Sequence, residues 1–254
     1  MNMPGRHDAL VAPPASAHPG LRTPAGQGRG VDEKVVPRLL WMESASAQHG
    51  PSVRAYRPSD LPAVYDVCVR TADAGGDARG RYASDLLMGD IFAAPYVTLE
   101  PEHAHVLDDG TGAAVGYVLG TADTAAFVRR YRAEWIPATA GRCPPPADPP
   151  VTADDAMLAL HHRPERMLVR EVAGYPAHLH IDVLPPWQGR GHGRALMAAF
   201  LAGLHAAGVP GVHLSMLSSN TKARAFYDRL GFEEITVAGA GPLTYLVRDT
   251  APPR

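Results

Sequence analysis

Cysteine is scarce. Cys68 and Cys143 are the two in 254 residues, far apart and without CxxC or Cys/His zinc spacing. A disulfide framework is therefore excluded, and this cysteine usage suits a reducing, cytoplasmic compartment. No apolar run reaches the roughly 18 residues that a membrane span needs. The apolar stretch Ala9 to Ala12 is cut by Pro13 and Pro14, too soon for a secretory leader. An excess of one charge is missing too: Lys+Arg 24 against Asp+Glu 26 leaves a net charge of −2. That balance excludes a strongly basic nucleic-acid binder and a polybasic membrane contact. Internal repeats are absent.

What is abundant is glycine and proline, 25 of each, together about a fifth of the chain against a usual share of roughly 12%. They concentrate in residues 1–51 and 141–150. The first of these stretches shows no period of 3.6 or 2 and reads as a disordered or poorly ordered Pro/Gly/Ala-rich tail. Residues 52–250 read as a single domain. Strands are expected at 53–57, 103–107, 113–121, 177–184, 211–217, 232–237 and 243–248, the last two as a hairpin. Helices are expected at 60–71 with Ser59 as N-cap, at 81–93, at 124–136, from Thr152 to about His161, at 191–207 and at 221–230. The proline run at 141–150 cannot be helical. The order is mixed α/β, ending in β-α-β-α-β-β.

The most informative stretch runs from Leu179 to Met197. A strand ends at Pro185 and Pro186, and a glycine-rich turn then feeds directly into a helix. Such a turn offers unpaired backbone N–H groups and the positive helix end to an anion. Spacing separates the possible nucleotide loops. No lysine follows the glycines, so a P-loop fails. The dinucleotide pattern GxGxxG fails at Arg194 or Leu196, and residues 194–227 hold no Asp or Glu to bind a ribose. The remaining match is Gln-x-x-Gly-x-Gly at Gln188, Gly191 and Gly193.

This loop resembles the acyl-coenzyme A pyrophosphate loop of the GNAT N-acetyltransferases. A second stretch, Asn220-Thr-Lys-Ala-Arg-Ala-Phe-Tyr-Asp-Arg-Leu-Gly-Phe232, resembles the other signature of that family. More narrowly, Val53–Asp60, the insertion at 122–165 and Tyr175–Asp182 are similar to bacterial acetyltransferases that resemble the C-terminal domain of O-GlcNAcases. The resemblance implies a GNAT fold: a mixed, mostly antiparallel central sheet flanked by helices, with a helical insertion before the cofactor-binding strand. It implies acetyl-CoA along Ile181 and Val183, over Gln188, Gly189, Arg190, Gly191, His192, Gly193 and Arg194, and beside Asn220 and Arg224. It implies direct acetyl transfer to a primary amine on a small molecule or peptide. The contrasting reading is a binding module that keeps the fold without turnover.

The resemblance sets Tyr227 near the sulfur as proton donor, with Phe226 taking the packing role. His178, His180 and Asp182 alternate on one strand face. They form a polar wall on which His180 or Asp182 would take the amine proton. Their spacing also allows a metal, although the chemistry implied by the family needs none. Asp73 and Asp77 sit in a glycine-rich loop that lines the acceptor site in the resembling family, or are solvated turn residues. Trp135 is either a substrate contact or core. Edge pairing at the final hairpin would give a homodimer.

The tail cannot bury enough apolar surface to offset chain entropy. A chain starting at Pro51 is therefore expected to keep its melting temperature and its acetyl-CoA affinity. A drop of many degrees in a thermal scan would place the boundary elsewhere.

Overall fold

Alternating side chains build the sheet. Val106 and Leu107 are neighbours, as are Tyr117 and Val118, and in each pair one residue enters the core on one face while the other enters the core on the opposite face. The structure, a computed structural model, describes residues 50–251. Residues 1–49 of the expected tail lie outside the described residues.

Seven strands are ordered β1-β2-β3-β4-β5-β7-β6. They are β1 (Ser52–Ala55), β2 (His105–Asp108), β3 (Ala114–Thr121), β4 (Ala177–Val183), β5 (Gly211–Leu217), β6 (Glu233–Ile235) and β7 (Leu243–Asp249). Every neighbouring pair is antiparallel except β4 and β5. The expected mixed, mostly antiparallel sheet is thus observed.

One face is covered by α1 (Leu61–Val69), α3 (Ala94–Leu99) and α4 (Thr124–Arg130), whose Val64, Cys68, Tyr96 and Phe127 pack with Tyr117 and Leu119. The other is covered by α7 (His192–Ala206) and α8 (Thr221–Asp228). On α7, Leu196, Met197, Phe200, Leu201 and Leu204 recur at helical spacing and are all buried. Each such side chain contributes about 1.5–3 kcal/mol on burial.

The insertion before β4 holds α5 (Ile136–Thr139) and α6 (Ala153–His161). Thr152 and Asp155 cap α6 reciprocally. Buried Asp90, on α2 (Leu87–Phe92), binds it to the domain. Its carboxylate accepts from Arg142 Nε and Nη2 and from the Tyr65 hydroxyl at 2.6 Å.

Four expectations need correction. The helix expected over 81–93 is confined to Leu87–Phe92, because Asp85 Oδ1 accepts the Gly80 N–H and folds residues 80–86 as turns. The following helix, α3, was not expected, residues 94–102 having been assigned to no element. Pro95 stands in the first turn, where its missing N–H costs nothing. Residues 124–136 form α4 and then a π-helical turn, Tyr131–Trp135, before α5. Ser59 does not cap α1. The buried Asp60 carboxylate fixes the entry instead, accepting from Arg57 N–H and from Arg54.

Gly120 on β3 sets how closely β4 and α7 approach. A Cβ there would lie 2.4 Å from His178 O and 2.5 Å from the Phe200 ring. Gly120→Ala is therefore expected to destabilise the fold by about 1–3 kcal/mol, measured by denaturant titration. An unchanged midpoint would show that the layers can move apart.

Candidate active site

The site begins where a strand pair ends. β4 and β5 pair in parallel only at Ala177↔Val212 and His178↔His213. Beyond that point β4 continues against β3, while β5 continues against β7. Leu184 N–H donates to Val115 O at 3.0 Å, continuing the β3–β4 register. In an antiparallel ladder bonded pairs alternate, so His178, His180 and Asp182 bond β3. The backbone groups of Ile181 and Val183 then face the gap left by β5. Val183 O is taken by Gln188 Nε2 at 2.7 Å.

The glycine loop closes the far end of this gap. Pro185–Trp187 makes one tight turn, and Gly189 (φ +73°) and Gly191 (φ +87°) then adopt left-handed conformations that favour glycine. A Cβ at either would meet no atom within 4 Å, so the loop surface is open. Helix α7 starts at His192 with no side-chain cap. Its first N–H groups therefore point outward unpaired, beside the exposed guanidinium groups of Arg190 and Arg194. Among the described residues neither arginine has an ion-pair partner. Gly193 serves packing: a Cβ there would press on the Phe226 ring at 3.2 Å.

Asp182 lies close enough to Tyr227 for its charge to act on the phenol, and His180 shares the Asp182 face of β4. Asp182 is half-buried and its Oδ2 accepts from the Tyr117 hydroxyl at 2.8 Å. Burial raises its pKa to about 7, against the lowering effect of that hydrogen bond. Burial acts in the opposite sense on His180, lowering its pKa to about 4, helped by the Arg166 charge. Tyr227 is 8% exposed and packs between Phe226 and Phe232. Its pKa is raised by burial first and then by the Asp182 charge, so the phenol is neutral at pH 7. Among the described residues its hydroxyl makes no hydrogen bond, nor is it a buried atom lacking a partner. It therefore reaches open space.

Several expected site residues have other contacts. Trp135 is a core residue: 6% exposed, with its indole N–H donating to Asp90 O at 2.8 Å. It offers no surface to a substrate. Phe226 does not take the packing role alone, since Tyr227 is the more buried of the two. His180 does not titrate near neutral pH, for the burial given above. Asn220 Oδ1 caps α8 by accepting the Ala223 N–H at 3.0 Å. Arg224 pairs with Asp228 and Glu234. Asp73 and Asp77 are exposed and paired locally with Arg81 and Arg79. Among the described residues no three His, Cys, Asp or Glu side chains converge as a metal site.

Sequence reasoning missed Tyr96 and Tyr117. Tyr117 had a signal, as it falls on the strand expected at 113–121. Tyr96 had none, because its helix was not expected.

A split sheet with an anion-ready loop at the mouth of the split defines a class that holds an extended, phosphate-bearing ligand along a strand edge. The model of the Acetyltransferase (GNAT) domain matches residues 160–234, the stretch containing the gap, the loop and both flanking helices. The crystal structure of SsHAT is similar over 80% of this chain and all of its own, with 64% identity and a TM-score of 0.78. The chain belongs to the GNAT acetyltransferase family and is an acyltransferase. It is also 27% identical over 186 residues, 72% of its length, to Protein O-GlcNAcase of Rattus norvegicus, of which it spans 20%. A shorter match, 48% identity over 52 residues, covers 20% of the chain and 16% of the mycothiol acetyltransferase of Nocardiopsis dassonvillei. No helix among the described residues is long and apolar enough to cross a membrane.

Proposed function

We propose that the chain transfers an acetyl group from acetyl-CoA directly to a primary amine of a small molecule or peptide. The observation that carries this reading is the parting of β4 from β5 beyond His178↔His213, with an uncapped helix end at one side and Asp182 and Tyr227 along it.

The residues fit acetyl-CoA. The backbone groups of Ile181 and Val183 offer a strand edge to the amide-bearing pantetheine arm. The N–H groups of the first turn of α7, with Gly189, Gly191, Arg190 and Arg194, offer donors and positive charge to the diphosphate. His192 lies in the same turn. Gln188 orders the loop through Val183 O. Asn220 and Arg224 act by shaping α8, which carries Tyr227. When bound, acetyl-CoA supplies an activated acetyl group and a thiol leaving group.

The chain supplies two proton positions. Asp182 is the base: as a carboxylate it takes a proton from the amine nitrogen as the new C–N bond forms. Tyr227 holds a proton at its hydroxyl for the sulfur as the C–S bond breaks. The proton gained at Asp182 and the one lost at Tyr227 balance, and exchange with water restores both. Asp182 suits the base role better than His180 because its pKa lies near neutrality. The exposed loop of Asp73 and Asp77, closed by local ion pairs with Arg81 and Arg79, would form the outer acceptor approach. Two buried free cysteines fit a cytoplasmic location.

Binding and chemistry are tested separately. Gly191→Leu forces a branched side chain into a left-handed backbone on the open loop surface. Calorimetry is expected to show acetyl-CoA affinity lost while the variant still melts cooperatively, destabilised by no more than the ~1–2 kcal/mol of left-handed strain. Undiminished affinity would remove the loop assignment. Chemistry is read as thiol release from acetyl-CoA across a panel of primary amines and peptides. Tyr227→Phe is expected to lower kcat by about 10²–10⁴-fold with acetyl-CoA binding kept. Below pH 7 Asp182 is protonated and cannot accept, so kcat/KM should fall about tenfold per pH unit on the acid side beyond the fall that protonation of the amine itself causes. Asp182→Asn should flatten that limb towards the slope of the amine alone. Tight acetyl-CoA binding with no thiol release from any acceptor would favour a module without turnover.

A further inference from the structure

The face of β4 that carries Asp182 also carries a buried hydrogen-bond chain that none of the steps above uses. It starts at Pro176 O, which can only accept. Thr124 Oγ1 lies 2.7 Å from that oxygen, a separation at which two oxygens need a proton between them. The Thr124 hydroxyl proton is thereby committed, so its oxygen accepts from His178 Nδ1 at 2.8 Å. His178 is neutral, since burial lowers its pKa well below the ordinary value, and its one ring proton sits on Nδ1. Nε2 is then an acceptor and takes the Tyr96 hydroxyl at 2.7 Å. With that proton spent, the Tyr96 oxygen accepts in turn. The donor within reach is His180 Nε2 at 3.2 Å. The contact of Tyr96 with Met167 Sδ, at 3.8 Å, is too long to compete.

One proton direction satisfies every link. His180, also neutral at pH 7, carries its proton on Nε2 and keeps a bare lone pair on Nδ1. No described residue bonds Nδ1, and it is not a buried atom without a partner, so it faces open space. The Phe92 ring packs edge-on against the same imidazole at 5.9 Å and fixes its plane.

We propose that His180 presents Nδ1 as a fixed hydrogen-bond acceptor to the substrate amine, with Tyr96 and His178 as positioning residues that hold its tautomer and orientation. The proposal rests on Asp182 being the base. His180 and Asp182 are i and i+2 on one strand face, roughly 7 Å apart along the strand. A neutral amine nitrogen between them gives one N–H to each and keeps its lone pair for attack. Two N–H bonds are needed, so the arrangement selects primary over secondary amines.

The tautomer can be read without cofactor or substrate, so this test does not depend on the acetyl-transfer reading. Long-range proton–nitrogen correlation spectra of the full chain labelled with ¹⁵N-histidine, assigned against His180→Asn, are expected to show the His180 proton on Nε2 and the His178 proton on Nδ1 at pH 7. A His180 proton on Nδ1, or on both nitrogens, would overturn the proposal. In Tyr96→Phe the His180 signals should change to a tautomer mixture. In that variant kcat/KM for the amine should fall roughly ten- to hundredfold, with acetyl-CoA affinity kept. Should that variant unfold, the spectra of the unaltered chain still decide. His180→Asn sets an amide oxygen near the place of Nδ1 and should retain more activity than His180→Ala, and a preference for primary over N-methyl amines. Equal activity of these two variants would also overturn the acceptor role.

Discussion

The structure turns on β4 and β5 pairing for two residues and then parting. Parallel strands ordinarily stay paired, because a buried backbone N–H or C=O without a partner costs about 1–3 kcal/mol. Here Ile181 and Val183 are held against β3 by their even-numbered neighbours while their own backbone groups face a gap. Val183 O is satisfied internally by Gln188. The rest of the edge is left for something else that can pair with a strand. The left-handed glycines and the uncapped start of α7 follow within a few residues of Val183. Chain connectivity alone therefore brings the anion-binding end to the mouth of the gap.

Burial then sorts the titratable groups. A low-dielectric face disfavours the charged form of every group on it, with opposite results for acids and bases. Asp182 moves up into the physiological range, while His178 and His180 move down out of it. The carboxylate becomes the group able to exchange a proton at neutral pH. The imidazoles become uncharged hydrogen-bonding groups with fixed directions. Tyr117 and Tyr96 complete this division, the first donating to Asp182 and the second linking the two histidines. Both tyrosines are fully buried, so neither hydroxyl is free to turn elsewhere.

The insertion before β4 is held by Asp90. Its carboxylate and carbonyl accept from Arg142, Tyr65 and Trp135. A buried carboxylate with this many donors is satisfied; removing any one partner would leave desolvated polar groups. Ile136 and Met157 of the anchored insertion pack against the buried cluster that contains Tyr96.

Local chemistry made much of this legible in the sequence. Period-2 alternation gave the strands, and β5 was expected at 211–217, where it is found. The Gln188–Gly193 loop could be read because positive φ and a helix start leave marks in residue type. The residues that fell differently did so for non-local reasons. Helix α3, with Pro95 in its first turn, is short and was assigned to no element. Trp135 reads as either a substrate contact or core, and Asp90 O on α2, taking its N–H, makes it core. Asp73 and Asp77 read as acceptor-site or solvated turn residues and Arg224 as a cofactor contact, and each is found in ion pairs with neighbouring side chains. Which of His180 and Asp182 titrates near neutrality could not follow from the strand pattern, because both alternate on the same face. That depended on burial by elements distant in the chain, which raises the one and lowers the other. The sequence alone determined the elements, the loop and the class of ligand it suits. Only the tertiary structure decided protonation, because burial and long-range hydrogen bonds are properties of neighbours in space.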